Sequence, residues 1–307
     1  MVENRKRKKR KYDPTSASLG FQIFNYIFLA FLTLLFIVPF LLMAVASFTP
    51  EKEIAMKGFT LIPSALTSDA YIYLFESSTQ FIDAFKITSL LTIVGTINAL
   101  FWTSMGAYAL SKKYLPYRKF MTLFVFVTML FNGGLIPWYL VVKGLSMTNT
   151  FFALFVPSTI QVWNMIIIRN FYMSLPESLE ESAKLDGATD FTVYFRIIIP
   201  LSTPILATMI VYMGVGYWNE WYNALILNTT ARELSTLQLL LRQILSTSVL
   251  TVTGRGGVKS VNTTGGITPS ESLRMASVMV ATVPILIIYP FLQRYFVKGI
   301  LIGSIKG

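Results

Sequence analysis

The sequence predicts an all-α polytopic membrane protein with six transmembrane helices, and three observations carry that prediction. Apolar residues make up 54% of the 307-residue chain, and the mean hydropathy is +0.59. Charged residues are only 13%, about half the share found in a soluble globular domain. Six windows of at least 19 residues contain no Asp, Glu, Lys or Arg, and about 20 mostly apolar residues let a helix cross the hydrocarbon core.

The first window lies between Asp13 and Glu51 and holds the apolar run Phe21 to Phe48. That run is too long for a signal-peptide core, although Ala44-Val45-Ala46 imitates a cleavage site, so it reads as an uncleaved helix. The other five windows lie between Lys86 and Lys112, Lys119 and Lys143, Lys143 and Arg169, Arg196 and Glu220, and Arg274 and Arg294. The chain therefore divides into a basic tail over residues 1–20, a six-helix domain over 21–298 and a short tail over 299–307. No internal repeat of 20 to 50 residues is visible.

Orientation follows from the basic residues. The N-terminus, the loops Lys112 to Lys119 and Arg169 to Arg196, and the C-terminus together hold 17 Lys and Arg, against nine on the other side. The positive-inside rule then places both termini in the cytoplasm. Seven basic residues in one run, Arg5 to Lys11, dominate the net charge of +11. Beside an apolar helix such a run suits anionic lipid, whereas nucleic-acid binding calls for basic residues spread over a folded face.

Cys and His are both absent, which excludes disulfides, thiolate nucleophiles, Ser-His-Asp triads and nearly every zinc site. Gly254 to Ser260 echoes a phosphate loop, but the Gly before Lys is missing and the spacing is wrong, so no ATP site is expected on this chain. Asn228-Thr229-Thr230 and Asn262-Thr263-Thr264 match the glycosylation triplet, a match frequent by chance. On the outer side, residues 225–273 carry Leu234, Leu237, Leu240, Leu241, Ile244 and Leu245 at helical spacing. They predict a short amphipathic helix near the outer surface, followed by a flexible piece from Thr251 to Pro269.

The loop over residues 174–200 is long and acidic in its first half. Ser174-Leu175-Pro176-Glu177 reads as a capping box opening a helix to about Leu185, with Gly187 as its left-handed stop. Asp190 is placed to cap a second short helix, which Pro200 separates from the fifth span. Glu181-Ser182-Ala183, three residues, Gly187, nine residues and Ile197-Ile198-Ile199-Pro200 resemble the EAA loop of permease subunits of binding-protein-dependent ABC importers. Ser182 and Ile199 depart mildly from that motif. Asp186-Gly187-Ala188, Phe195 and Pro200-Leu201-Ser202-Thr203-Pro204 resemble the carbohydrate branch, which includes maltose-type permeases, and the likeness extends to Lys298-Gly299 and Ile305-Lys306-Gly307.

The resemblance implies a type I importer architecture in the bacterial cytoplasmic membrane. It also implies a coupling helix that docks on a separate ATPase through Glu181, Ser182, Ala183, Asp186, Gly187 and Ala188. It implies a second permease subunit, two ATPase subunits carrying ATP and Mg, an extracytoplasmic solute-binding protein and an oligosaccharide substrate. No cofactor is expected on this chain, and no nucleic acid.

Candidate path residues are polar or aromatic groups at membrane depth. Tyr217, Trp218, Asn219, Glu220, Trp221, Tyr222 and Asn223 close the fifth span, and a continuous helix there would stack Asn219 on Asn223 and Trp218 on Tyr222. Flat rings beside carboxamides suit a sugar, while an aromatic belt or simple packing is the competing reading of any single ring. Asn98 and Trp102 in span two, Asn132 with Gly133 and Gly134 in span three, and Gln161 and Asn164 in span four complete the set. Each carboxamide alone is best read as a bridge between helices; together they suggest a path bordered by spans three to five. An ABC permease for a non-sugar solute is the first alternative. A secondary transporter is the second, although it usually shows inverted repeats and charged residues in broken spans.

Overall fold

The computed structural model describes residues 18–246 and 271–304. The basic run Arg5 to Lys11, the piece from Thr251 to Pro269 with its phosphate-loop echo and Asn262 triplet, and Ile305-Lys306-Gly307 lie outside the described residues. Within these bounds the order is α1 (Leu19–Ser47), α2 (Glu51–Lys57), α3 (Asp69–Ile72), α4 (Thr79–Ser111), α5 (Arg118–Leu130), α6 (Leu135–Gly144), α7 (Val162–Met173), α8 (Ser178–Leu185), α9 (Asp190–Val193), α10 (Ile199–Leu201), α11 (Thr203–Trp218), α12 (Tyr222–Leu227), α13 (Leu237–Ser246) and α14 (Glu271–Ser304).

Three helices, α1, α4 and the Glu271–Ile288 part of α14, are each long and apolar enough to cross a membrane. Three bent pairs bring the number to six: α5 with α6 at 114°, Phe151–Ser158 with α7 at 51°, and the α9 to α10 stretch with α11 at 82°. All six fall on the charge-free windows, but half of the spans are broken rather than straight. The thirteen residues of α5 reach about 20 Å, short of a 30 Å hydrocarbon core. Its break is made by Asn132-Gly133-Gly134, where the Asn132 side chain accepts the Gly134 N–H at 2.9 Å and Gly134 takes φ +91. A local side-chain bond and a left-handed glycine together offer the backbone an alternative to helix. At the 82° bend, Pro200 and Pro204 flank a fully buried Ser202, each in the first turn of its helix, where the missing N–H has no partner and proline favours a fresh start.

The longest uninterrupted core helix, α4, packs along α7, α11 and α13, while α1 lies against α14 and is otherwise bare and apolar all round, as a lipid-facing or intersubunit span must be. At Gly95 of α4 the Tyr217 ring of α11 sits so near that an added Cβ would lie 2.9 Å from it. Tyr217 is anchored at its far end by donating to the Ser158 carbonyl at 3.3 Å. Gly95→Ala is therefore expected to lower stability by about 1–3 kcal/mol, the usual cost of overpacking. Thermal unfolding of the detergent-solubilised protein checks this, and an unchanged melting point would show that the ring yields freely.

The predicted amphipathic helix is α13, beginning at Leu237 rather than Leu234, because Arg232–Leu234 forms a separate 3-10 turn. Its leucines turn inward: Leu237 and Leu240 pack with Phe81 and Trp218, and the buried Thr88 hydroxyl accepts the Leu237 N–H at 2.8 Å. At the same end, the Glu51 carboxylate of α2 accepts the first two N–H groups of α14, from Glu271 and Ser272, each at 3.1 Å. An acidic group at a helix N-terminus satisfies orphan donors and opposes the macrodipole.

Candidate functional site

The loop over residues 174–200 forms the predicted helix, turn and helix, with shifted caps. Ser174 donates its hydroxyl back to the Phe171 carbonyl at 2.7 Å, so no capping box forms and α8 starts at Ser178. At the other end the Ala188 N–H reaches the Ala183 carbonyl at 2.9 Å and the Gly187 N–H reaches Lys184 at 3.0 Å, with Gly187 at φ +82. This is a Schellman stop with glycine in the left-handed position, as the sequence predicts. The cap of α9 is Thr189, whose hydroxyl accepts the Thr192 N–H at 3.3 Å. Asp190, expected to cap there, instead takes the Lys184 ammonium at 2.9 Å and the Tyr114 hydroxyl at 2.8 Å.

The two faces of α8 differ in kind. On the inner face Glu180 pairs with Lys112, whose Nζ also lies 3.9 Å above the Tyr108 ring, while at the exposed N-cap Glu177 pairs with Lys113 at 2.5 Å. The Lys112 side chain is only 9% exposed, and burial pulls its ammonium below the usual lysine range, with the Glu180 carboxylate acting in opposition. Ala183 and Ala188 pack against the chain's own core beside Tyr108 and Tyr194. On the outer face Glu181, Ser182, Leu185 and Asp186 are exposed, Leu185 to 90%. Among the described residues neither Glu181 nor Asp186 has an ion-pair partner. Behind the loop, the Ser104 hydroxyl of α4 lies 2.6 Å from the Tyr172 hydroxyl and 2.8 Å from that of Tyr194, all three buried.

The sequence does not single out Lys112, Glu180, Leu185 or the three-hydroxyl hub. Leu185 carries a readable signal, an apolar residue on the outer face immediately before Asp186-Gly187. The partners of the hub are 68 and 90 residues apart from Ser104, and nothing in the sequence pairs them.

The aromatic segment is not one helix. The α11 helix ends at Trp218 and α12 begins at Tyr222, so the expected stacking of Asn219 on Asn223 does not occur. The break has a local cause: the Glu220 carboxylate accepts the Asn223 N–H at 2.7 Å and the Asn219 amide donates to the Val215 carbonyl at 2.9 Å. The Glu220 carboxylate thereby takes a backbone donor that a continuing helix would use, and the Asn219 amide adds a second bond to the last turn of α11. Asn219 is exposed, whereas Asn223 is buried and donates to Ser158 at 3.2 Å. Trp218 is buried, its indole N–H on the Ala281 carbonyl of α14 at 2.9 Å, and Tyr217 is buried on Gly95. Trp221 is half-buried beneath Arg242, and Tyr222 is exposed beside Trp138.

In span four, Asn164 is buried and donates to Gln161 at 2.6 Å, while Asn98 donates to Thr159 at 2.7 Å across the break before α7. Asn132 is exposed at the α5 break and Trp102 is exposed on α4. An apolar groove of about 560 Å³ runs between α4, α11 and α14, but Trp218 is the only one of these candidates that lines it. A groove so poor in polar groups does not suit a polyhydroxylated solute.

No family model matches the sequence. The chain is 40% identical over 294 residues to protein LplC of Bacillus subtilis (strain 168), covering 95% of this chain and 97% of that one. It is 39% identical over 288 residues to the polygalacturonan/rhamnogalacturonan transport system permease protein YtcP of the same strain, covering 94% and 98%. Among solved structures, a bacterial ABC transporter involved in the import of the acidic polysaccharide alginate superposes with a TM-score of 0.80 at 26% identity, over 92% of this chain and 99% of that one. Sequence and fold agree over more than nine tenths of the chain, and it therefore belongs to the permease family of carbohydrate ABC transporters.

Proposed function

We propose that this chain is one permease half of an ABC importer for oligosaccharides and is not itself an ATPase. It would work in the cytoplasmic membrane with a second permease, two ATPase subunits that hold ATP and Mg, and an extracytoplasmic solute-binding protein. The observation that supports the coupling part of this reading is the division of α8. Its inner acid Glu180, and Glu177 at its N-cap, are paired with the chain's own lysines, while Glu181, Leu185 and Asp186 form an uncompensated outer edge with one apolar knob. An exposed Leu flanked by unpaired carboxylates fits a cleft on another protein with an apolar floor and a basic rim. Ala183 would act from beneath, letting α8 lie close on its own bundle, and Gly187 with Ala188 would fix the turn.

The sugar reading rests on the relatives named above and on the Asn219, Glu220 and Trp221 break. Gln161, Asn164 and Asn132 would contribute through the shape of the broken spans, and Tyr217, Trp218 and Asn223 through support of that break. ATP hydrolysis by the assembled transporter, measured with its binding protein over sugar and non-sugar panels, tests the reading. Stimulation by oligosaccharides is expected, and stimulation only by amino acids, peptides or inorganic anions would replace the substrate class.

Orientation has its own test, because the chain has no native Cys. A Cys at exposed Thr230 should react with an impermeant maleimide from outside the cell and one at Ser182 only from the cytoplasmic side. The reverse pattern would invert the layout.

A further inference from the structure

We infer that Arg242, seated on Trp221 at the α11–α12 break, reads a carboxylate on the transported sugar, so that the substrate class is an acidic, uronate-bearing oligosaccharide. The inference rests on the oligosaccharide reading above and adds the charge of the ligand and the residue that recognises it.

The site is built by two residues of α13 reaching one break. Gln238 and Arg242 stand four apart and so share a face, opposite the buried Leu237 and Leu240. Gln238 donates to the Asn219 carboxamide oxygen at 3.1 Å, and the Arg242 guanidinium lies 3.9 Å from the centre of the Trp221 ring. Asn219 is in turn fixed to the Val215 carbonyl at 2.9 Å. Arginine and tryptophan therefore sit beside two carboxamides whose geometry is already set, which reduces the entropy lost on binding.

The chemistry of this cluster favours an anion. A guanidinium stacked on an indole uses its π face for the ring and leaves its N–H edge free for the bidentate pairing that carboxylates accept. Arg242 is exposed and among the described residues has no carboxylate within ion-pair distance. The nearest acidic residue in the break, Glu220, is engaged by the Asn223 N–H at 2.7 Å and by its side-chain amide at 3.3 Å. The Gln238 carbonyl oxygen remains able to accept from a sugar hydroxyl. A neutral sugar could offer that edge only single hydroxyl acceptors, without the charge-assisted bidentate pairing that a carboxylate makes.

The test is uptake by the full transporter in proteoliposomes, with its binding protein, of trigalacturonate and of its methyl ester. The ester has the same skeleton with the charge removed. Arg242→Gln is expected to raise the half-saturating concentration of trigalacturonate about tenfold and that of the ester less than twofold. Arg242→Lys should fall between wild type and Gln for the acid, because it keeps the charge and loses the planar edge. Equal loss for both sugars would overturn the inference and make Arg242 a support of α13 or a contact for the binding protein; so would no change for either. A wild-type transporter that accepts neutral oligosaccharides and no uronate-bearing one would overturn it while leaving the oligosaccharide reading intact. One that accepts no carbohydrate would remove that reading and this inference together.

Discussion

Replacing Gly187 with proline is expected to abolish substrate uptake while leaving membrane insertion intact. Gly187 holds φ +82 and donates its N–H to Lys184 at 3.0 Å. Proline is locked near φ −65° and has no N–H, so it can neither adopt the turn nor close it. The Schellman stop would open, and the outer edge of α8 would lose its angle to the bundle. Nothing approaches the site where a Gly187 side chain would project, so the effect is conformational, not steric. Gly187→Ala should therefore lower uptake only partly, at about 1–2 kcal/mol for an L-residue in this region, and Gly187→Asn should lie nearer wild type. Uptake and sugar-stimulated ATP hydrolysis in the same preparation measure the series. Wild-type uptake by Gly187→Pro would remove α8 from the coupling assignment.

The turn at Gly187 was legible in the sequence because everything that defines it lies within six residues. The number of spans was legible for a similar reason: lipid excludes charge, and the gaps between charges show where lipid is. Straightness was not. The breaks at Asn132 and Glu220 depend on one side chain capturing a backbone group two or three residues away, and Asn or Glu at a span end has other uses. The caps of α8 and α9 moved because Ser174 and Asp190 found other partners earlier in the chain, Phe171 and Lys184. Burial of Trp218 against Ala281 and of Tyr217 against Gly95 is set by contacts 63 and 122 positions apart. The hydrophobic pattern of α11 cannot foretell them, since in a membrane both the core and the lipid face are apolar. Among the acids of α8 the motif pointed to Glu181, and only the folded loop separates it from Glu180.

That separation gives the second large effect. Lys112→Met should destabilise the protein by about 3 kcal/mol, the lower part of the range for removing one member of a buried ion pair, because Glu180 keeps 18% of its side chain in contact with water. The lost contacts are the salt bridge and the stacking of Nζ on Tyr108, but the larger share is the Glu180 carboxylate left mostly buried without its counter-charge. If that is the origin, removing the second charge should reverse most of it, and Lys112→Met with Glu180→Met should recover much of the thermal stability lost by Lys112→Met alone. Melting of the solubilised protein, followed by size-exclusion recovery after heating, should fall by roughly 5 °C or more in the single variant. The double variant then asks a different question of function. It restores packing and leaves only the exposed Glu177–Lys113 pair to tie α8 to the end of α4 by charge, so a stable protein with poor sugar-stimulated ATP hydrolysis would make the Lys112–Glu180 pair a transmission element, and a stable, active one would make it structural only. Glu181→Ala should give the opposite pattern to Lys112→Met: an unchanged melting point, because its carboxylate is exposed and unpaired, with weaker capture of the ATPase subunits. Equal melting of Lys112→Met and wild type would mean that the pair is solvated in the working protein and that α8 is held by Ala183, Ala188, the Glu177–Lys113 pair and the Asp190 bridge.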